Sequence, residues 1–247
     1  MKQSRSFIWL FYTAAAFIFV SCGGNGEKKS SESTTDTTAT NTTATTTPAS
    51  TIVTTPQNLM VVKHKVANFG KWKMVYDGDD SARLADGIHN FVVARGAEDS
   101  NMVLVATKID DVNKGKEFAK NPNLKKAMQK GGVMGTPTIN YYTMVFQDTA
   151  VIDSKLRSAT TFKVKDWDAW KRSFDSARQL NTDNGLTPRA YGYDADDNHS
   201  VILVTAILDT AKAKAYWSSD LLKQRRAASG VIGTPNRFVY RVVQRYY

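Results

Sequence analysis

The sequence repeats itself at a fixed offset of 98 positions, and this repeat constrains the fold more than any other feature of the 247-residue chain. The matches without gaps include Lys65-Val66 with Lys163-Val164, Trp72-Lys73 with Trp170-Lys171, Gly132-Val133 with Gly230-Val231, and Tyr142 with Tyr240. Because chance does not hold one register over such a length, the chain contains two homologous units, at 57–148 and 155–247. Two units are too few for a solenoid, so we expect a fused dimer.

Each unit has the apolar periodicity of a strand, a helix, two strands, a helix and a last strand. In the first unit the predicted elements are a strand at Leu59–Val66, a helix at Phe69–Leu84, a hairpin of Ile88–Arg95 and Met102–Ile109, a helical region after Asp111, and a strand at Thr138–Phe146. This order is the ferredoxin-like βαββαβ unit. Val103 and Val105 lie on one face of the third strand and Leu104 and Ala106 on the other, so both faces are apolar. Helices cover one face of such a sheet, and the other unit's sheet is expected to cover the second.

Two motifs carry a resemblance to a known superfamily. The opening strand runs into Phe69-x-x-Trp72, and Gly-Val-x-Gly-Thr-Pro precedes the last strand of each unit. These features resemble the dimeric α/β-barrel superfamily, with its antibiotic-biosynthesis-monooxygenase-like and stress-responsive barrel domains, over both units. The resemblance implies an α+β fold with two ferredoxin-like repeats packed sheet to sheet as a single-chain dimeric α/β barrel. It implies no single activity, since the superfamily includes monooxygenases, haem-degrading enzymes and members of unknown role.

The amino terminus has the pattern of an export signal. A basic start precedes the apolar run Phe7–Val20, which is shorter than the about 20 residues of a membrane-spanning helix. The segment Phe19–Cys22 resembles the lipobox of bacterial lipoproteins, which implies a signal peptide at 1–21 and lipid on Cys22. A cleaved signal with an incidental cysteine is the alternative. Lipid on Cys22 would anchor the protein in the bacterial cell envelope, for which we expect the outer membrane and leave the side open.

Residues 22–56 follow as a segment rich in Gly, Ser, Thr and Ala with almost no large apolar residue. Such a segment cannot bury enough surface to offset its ordering entropy, so we predict a disordered tether. The chain has 33 Lys and Arg against 23 Asp and Glu, a net charge of +10, which favours anionic ligands or surfaces. An exported protein meets little nucleic acid, so no nucleic-acid partner is expected.

Cysteine and histidine exclude several kinds of site. A single cysteine excludes an intramolecular disulfide, a CxxC redox pair and a multi-cysteine zinc site. The three histidines, His64, His89 and His199, lack metal-binding spacing, so no metal is predicted. A nucleotide-binding fingerprint is also missing, and no cofactor is predicted.

The clearest sign of a binding site is where the two units differ. Along two strands, Phe91, Val93 and Arg95 of the first unit correspond to Arg189, Tyr191 and Tyr193, and Ile139, Tyr141 and Thr143 correspond to Arg237, Val239 and Arg241. If this period-two face lines the barrel, its cavity is apolar on one side and basic and aromatic on the other, which suits an amphipathic or aromatic anion. If the strands lie at an exposed edge, the same residues are ordinary surface. The candidate ligand-binding residues are His64, Tyr141, Arg189, Tyr191, Arg237 and Arg241.

His64 lies in the middle of the first strand, in phase with Val62 and Val66, where the second unit has Phe162. It is either a hydrogen-bonded core residue or an acid, base or haem contact, because imidazole titrates near neutral pH. Haem-degrading members of the superfamily use an Asn, a Trp and a His, and this chain does not match all three.

The sequence therefore predicts a lipid-anchored extracytoplasmic binding module, a pseudo-dimer within one monomeric chain, that holds a small aromatic or amphipathic anion in the barrel. Two alternatives stay open. One is a cofactor-independent monooxygenase-like or haem-handling enzyme, and the other is a structural or interaction lipoprotein.

Overall fold

A computed structural model describes residues 50–246. The predicted signal peptide, Cys22 and most of the predicted tether lie outside the described residues. Within residues 50–246, no helix is both long and apolar enough to cross a membrane.

The first unit contains β2 (Gln57–Val66), α1 (Phe69–Gly78), α2 (Asp80–Ala85), β3 (Ile88–Gly96), β4 (Met102–Ile109), α3 (Val112–Lys120), α4 (Pro122–Lys130) and β5 (Val133–Asp148), after a short β1 (Ile52–Val53). The second unit contains β6 (Leu156–Val164), α5 (Trp167–Asp175), α6 (Arg178–Asp183), β7 (Leu186–Asp194), β8 (Asp197–Ile207), α7 (Thr210–Ser218), α8 (Asp220–Ala228) and β9 (Val231–Arg245). The two units thus have the same order of elements, in agreement with the repeat.

Two predicted boundaries are wrong. The single helix predicted at Phe69–Leu84 is divided into α1 and α2 at Asp79, and the second unit divides its helix into α5 and α6 at the equivalent Ala177. The last strand begins at Val133 instead of Thr138. It accommodates the Gly-Thr-Pro segment through a register shift opposite β2 and a positive φ of 68° at Gly135, which glycine adopts without strain.

The strands close into a barrel. The sheet order is β1-β5-β2-β4-β3-β9-β6-β8-β7, and β5 also pairs with β7, which joins the two ends. The two units meet through the antiparallel pairs β3–β9 and β5–β7. Equivalent strands run in the same direction around the ring, so the pseudo-two-fold axis that relates the units runs along the barrel axis. The predicted fold class, a single-chain α/β barrel of two ferredoxin-like repeats, is confirmed.

The strand pairs that join the two units have the same register, because their residue pairs correspond at the offset of 98 positions. Tyr142 lies opposite Asp194 in the β5–β7 pair, and Tyr240 lies opposite Gly96 in the β3–β9 pair. Each long final strand pairs with its own unit over one part and with the other unit over its last residues. Backbone hydrogen bonds at both edges therefore join the units, in addition to the packing of one sheet against the other.

The two apolar faces of β4 separate two layers of core. Val103 and Val105 pack with Trp72 on the face that the helices cover. Leu104 and Tyr240, which come from different units, pack together inside the barrel, here called the lumen. The predicted two-sided burial of the third strand is confirmed, and it leaves cavities in both layers.

Candidate functional site

Each unit contains a cavity between its sheet and its helices. The cavity of the first unit is about 70 Å³ and that of the second about 80 Å³. Trp72 and Trp170, which correspond in the repeat, line the two cavities. Both tryptophans are buried core residues that also border an open space. The two cavities are equivalent in position. A difference between their lining residues therefore indicates which ligand each cavity could bind.

The cavity of the second unit, here called the basic cavity, is lined by three arginines and several aromatic rings. Its arginines are Arg225 and Arg226 on α8 and Arg237 on β9, and its aromatic residues are Phe162, Trp170, Phe174, Tyr216 and Trp217. Among the described residues that line it, there is no Asp or Glu. The basic cavity therefore has the aromatic walls and the positive charge that an aromatic anion would require.

Arg237 is the central cation of the basic cavity. Its guanidinium lies 4.0 Å from the ring centroid of Trp217, a cation–π contact. Its Nε atom is buried and has no hydrogen-bond partner within residues 50–246. Burial and, to a smaller extent, the charge of Arg226 lower the pKa of Arg237 to about 10. Arg237 stays protonated at neutral pH. An anion beside it would offset both the burial of its charge and the repulsion from Arg226.

Further hydrogen-bond donors border the same space. Arg225 donates from Nη1 to the hydroxyl oxygen of Tyr216 at 2.9 Å. Asn181 on α6 is buried, and its Nδ2 atom finds no acceptor in the described part of the chain. Burial also lowers the pKa of Arg226. The lining thus offers several N–H donors, which suits a ligand whose polar end accepts hydrogen bonds.

The cavity of the first unit, here called the apolar cavity, has lost or never acquired these groups. Where the basic cavity has Arg225, Arg226 and Arg237, the repeat places Ala127, Met128 and Ile139. Its polar residues are His64, Tyr76, Asp79, Arg83 and Thr107. Arg83 is buried and stacks on Tyr76 at 3.9 Å from the ring centroid, with a 3.3 Å contact to Asp80. The guanidinium of Arg83 therefore already has Tyr76 and Asp80 as partners.

His64 faces the apolar cavity without a hydrogen-bond partner. Its side chain is 5% exposed, and neither ring nitrogen has a partner in the part of the chain that the structure describes. Burial lowers its pKa to about 4, so the imidazole is neutral at pH 7. Its ring lies 5.4 Å from that of Trp72. His64 is therefore a core residue, as one of the two sequence predictions stated, but without the predicted hydrogen bond to a described residue. The other prediction, an acid, base or haem contact, stays a prediction.

The prediction that Arg189 and Tyr191 share one face of the barrel is wrong. The register of β7 against β8 shifts between Pro188 and Ala190, and this bulge breaks the period-two alternation at Arg189. Arg189 consequently lies in the lumen, paired with Asp148 at 2.6 Å. Tyr191 lies on the helix side, where its hydroxyl donates to Asp175 at 2.8 Å.

The predicted face of β5 and β9 also points away from the lumen. Tyr141 packs on the helix side, and its hydroxyl donates to the carbonyl oxygen of Gly115 at 3.2 Å. Arg237 reaches the basic cavity, whereas Arg241 on the same strand face is exposed. The structure therefore does not bring the six candidates into one site: it divides them among two helix-side cavities, the helix-side core, the lumen and the surface. Their role in ligand binding stays a prediction.

Sequence reasoning missed the contribution of the helices. Trp217, Arg225 and Arg226 line the basic cavity but lie on α7 and α8, whereas the comparison of units was restricted to strands. The signal was present, because the same offset pairs them with Ala119, Ala127 and Met128. No group of three or more His, Cys, Asp or Glu side chains positioned for a metal occurs in residues 50–246.

Comparisons with known proteins agree on the fold. No protein-family model matches the sequence, and no curated protein is significantly similar to it. An anthrone oxidase-like protein of known structure is 14% identical, with a TM-score of 0.52 over 78% of this chain and 94% of its own. A candidate monooxygenase from Lactobacillus acidophilus is 8% identical, with a TM-score of 0.51 over 76% and 94%. One from Fusobacterium nucleatum subsp. nucleatum is 13% identical, with a TM-score of 0.50 over 76% and 93%. The chain has the dimeric α/β-barrel fold of these proteins, and at such identities the likeness extends to the fold alone.

Proposed function

We propose that this protein is a lipid-anchored binding module of the bacterial cell envelope whose basic cavity holds a small aromatic anion. One observation carries the proposal: three arginines line an aromatic-walled cavity whose described lining residues include no carboxylate. The site differs from the sequence prediction in its position, since it lies between the sheet and helices of the second unit and not in the barrel.

The charge of the cavity argues for an anionic ligand. Burying cations without acidic partners is costly, and the lowered pKa of Arg237 reflects that cost. The homologous unit shows that the fold does not need this charge, because Ile139 occupies the equivalent place. A ligand carboxylate that accepts charge-assisted hydrogen bonds from these arginines would add about 1.5–3 kcal/mol for each bond.

The walls of the cavity argue for an aromatic body. Trp217 already stacks with the guanidinium of Arg237, and Trp170 and Phe174 border the same space. Arg225 and Arg226 are half-buried at the edge of the cavity, so their side chains can move outward to admit a ring. Both features suit a single-ring aromatic carboxylate better than a sugar or a peptide.

The anchoring part of the proposal rests on the sequence. The lipobox-like segment at Phe19–Cys22 and the tether of residues 22–56 would hold the folded unit near a membrane while leaving its cavities accessible. The closed barrel contains both halves of the pseudo-dimer within one chain, so a monomer needs no second copy to complete the fold.

Titration calorimetry of the full chain with benzoate tests the proposed function. Arg237→Ile, which installs the residue of the first unit, should weaken benzoate binding about tenfold or more. Arg241→Thr is the matched control, because it removes an exposed arginine from the same strand and also installs the residue of the first unit. Benzyl alcohol should bind much more weakly than benzoate. Equal affinity of both variants for benzoate would refute the proposed site.

A second candidate function is an oxidation without a cofactor in the apolar cavity. The observation that favours it is His64, a buried neutral imidazole that borders the cavity, has no hydrogen-bond partner among the described residues, and can accept a hydrogen bond from a phenol hydroxyl at its unprotonated nitrogen. Some structurally similar proteins are described as monooxygenases or as anthrone oxidase-like. Oxygen uptake with the anthrone dithranol, lost in His64→Phe, would support this function.

A further inference from the structure

The lumen of the barrel contains a second basic region that is separate from the basic cavity. One end of the lumen, here called the arginine end, is a cavity of about 80 Å³. The second unit contributes Arg157, Arg189 and Arg245 to it, at positions where the first unit has Leu59, Phe91 and Gln147. Because the pseudo-two-fold axis runs along the lumen, the three arginines lie across the axis from these three uncharged residues.

Arg157 is the most unusual of the three. It is 6% exposed, and its Nη1 atom donates to the carbonyl oxygens of Ser154 at 2.5 Å and Leu156 at 2.9 Å. Its Nε atom is buried and has no partner among residues 50–246. Burial, with smaller contributions from the charges of Arg189 and Arg245, lowers the pKa of Arg157 to about 10. The side chain of Arg157 thus donates hydrogen bonds to backbone carbonyls, and no carboxylate of the described residues forms an ion pair with it.

The described residues that line the arginine end include more cations than carboxylates. Arg189 is 3% exposed, pairs with Asp148 at 2.6 Å and donates to the carbonyl oxygen of Ala150. Among the described lining residues of this end, Asp148 is the only carboxylate. Arg245 lies with its guanidinium 5.7 Å from the ring centroid of Phe91. The described lining residues of the arginine end thus include three cations and one carboxylate, and a ligand carboxylate would reduce this excess of positive charge.

The arginine end continues into an aliphatic passage. Val61, Leu104, Ala159 and Ile202 line both the arginine end and a wider cavity of about 580 Å³ at the other end of the lumen. The walls also include Leu59, Met144, Val204 and Val242. At the arginine end itself most lining residues are aliphatic, and the described rings there are Phe91 and Tyr240. The rings of Tyr142, Phe162 and Phe238 border the wider cavity.

We propose that the lumen binds an unbranched aliphatic carboxylate, with its carboxylate at the arginine end and its alkyl chain along the aliphatic passage. The carboxylate pairs with Arg157, which forms no ion pair with the described residues, and the alkyl chain packs against the aliphatic side chains that line both cavities. The site does not depend on the proposed function, because it lies on the opposite face of the sheet and uses none of the residues of the basic cavity.

Calorimetric titration of the full chain with decanoate tests this inference. Arg157→Leu installs the residue that the first unit has at this place, Leu59, and so removes the cation with a side chain the barrel already accepts. We expect Arg157→Leu to keep or raise the melting temperature and to weaken decanoate binding at least tenfold, or about 1.4 kcal/mol. Arg237→Ile is the control and should bind decanoate with unchanged affinity.

Three results would overturn the inference. The first is decanoate binding that Arg157→Leu leaves unchanged, and the second is no decanoate binding by the native chain. The third is equal affinity for decanol and decanoate, which would show that the arginine end does not recognise charge. In the second case, binding of inorganic phosphate at Arg157 would show an anion site that does not select an aliphatic ligand. Benzoate binding that depends on Arg237 would be unaffected in each case, so the two proposals can fail separately.

Discussion

Replacing His64 by Phe is expected to stabilise the protein, and most strongly in acid. His64 has no partner for either ring nitrogen within the described residues, and its ring lies 5.4 Å from Trp72 at an interplanar angle of 53°. In the second unit, Phe162 lies 5.4 Å from Trp170 at 60°. Because the repeat already places a phenyl ring in this geometry, Phe can occupy the site without displacing its neighbours.

The pH dependence follows from the lowered pKa of His64. Burial moves the pKa from its ordinary value of 6.5 to about 4 in the folded chain. Between these values the unfolded chain binds a proton that the folded chain does not, so the free energy of unfolding falls as the pH falls. This amounts to about 3 kcal/mol at pH 4. At neutral pH, the unsatisfied nitrogens still cost about 1–3 kcal/mol, which the substitution removes.

Thermal unfolding followed by circular dichroism between pH 4 and pH 7.5 measures both effects. For a domain of this size, 1 kcal/mol corresponds to about 2–4 °C in melting temperature. His64→Phe should melt higher than the native chain at pH 7, and the difference should widen towards pH 4. The reverse substitution, Phe162→His, should lower the melting temperature and introduce a new acid sensitivity. A difference for His64→Phe that stays constant across this pH range would refute the reasoning.

Three further predictions concern the lumen, the joined units and the anchor. Arg189→Ala removes the ion-pair partner of Asp148, whose side chain is 14% exposed, and should destabilise the chain by about 3 kcal/mol in urea unfolding, with partial recovery when Asp148→Asn is added. The fragment 57–150 loses both strand pairings between the units and should dimerise or aggregate; a folded monomer in analytical ultracentrifugation would contradict this. Cys22→Ser should move the protein from the membrane to the soluble fraction, and membrane retention with unchanged acyl mass would refute lipidation.

The fold could be predicted from the sequence because the repeat and the apolar periodicity indicate the same order of strands and helices in both units. The two apolar faces of β4 required a second sheet, and the repeat within the chain supplied it. The pairing of each final strand with the other unit could not be predicted, because local patterns do not specify the register between two units. The division of the helix at Asp79 recurs at Ala177 with different residues, so it belongs to the fold of the unit, and a helical period conceals it.

The residue types of the candidate site could be predicted from the sequence, but the position of the site in the fold could not. The comparison of units found Arg189 and Arg237 because arginine replaced an apolar residue in each case. It placed them on one face because a bulge, which inserts one residue into the alternation, cannot be seen in a strand pattern. Arg157 corresponds to Leu59 and carried the same signal, but it lies on a strand that was not compared. A complete comparison at the offset of 98 positions would have found it.

The most direct test of the proposed function is a crystal of the chain soaked with 4-iodobenzoate, in which the anomalous scattering of iodine locates the ligand. We predict one strong peak in the basic cavity, beside Trp217, with the carboxylate within hydrogen-bond distance of Arg237. A peak in the apolar cavity or in the lumen, with the basic cavity empty, would contradict the proposed function.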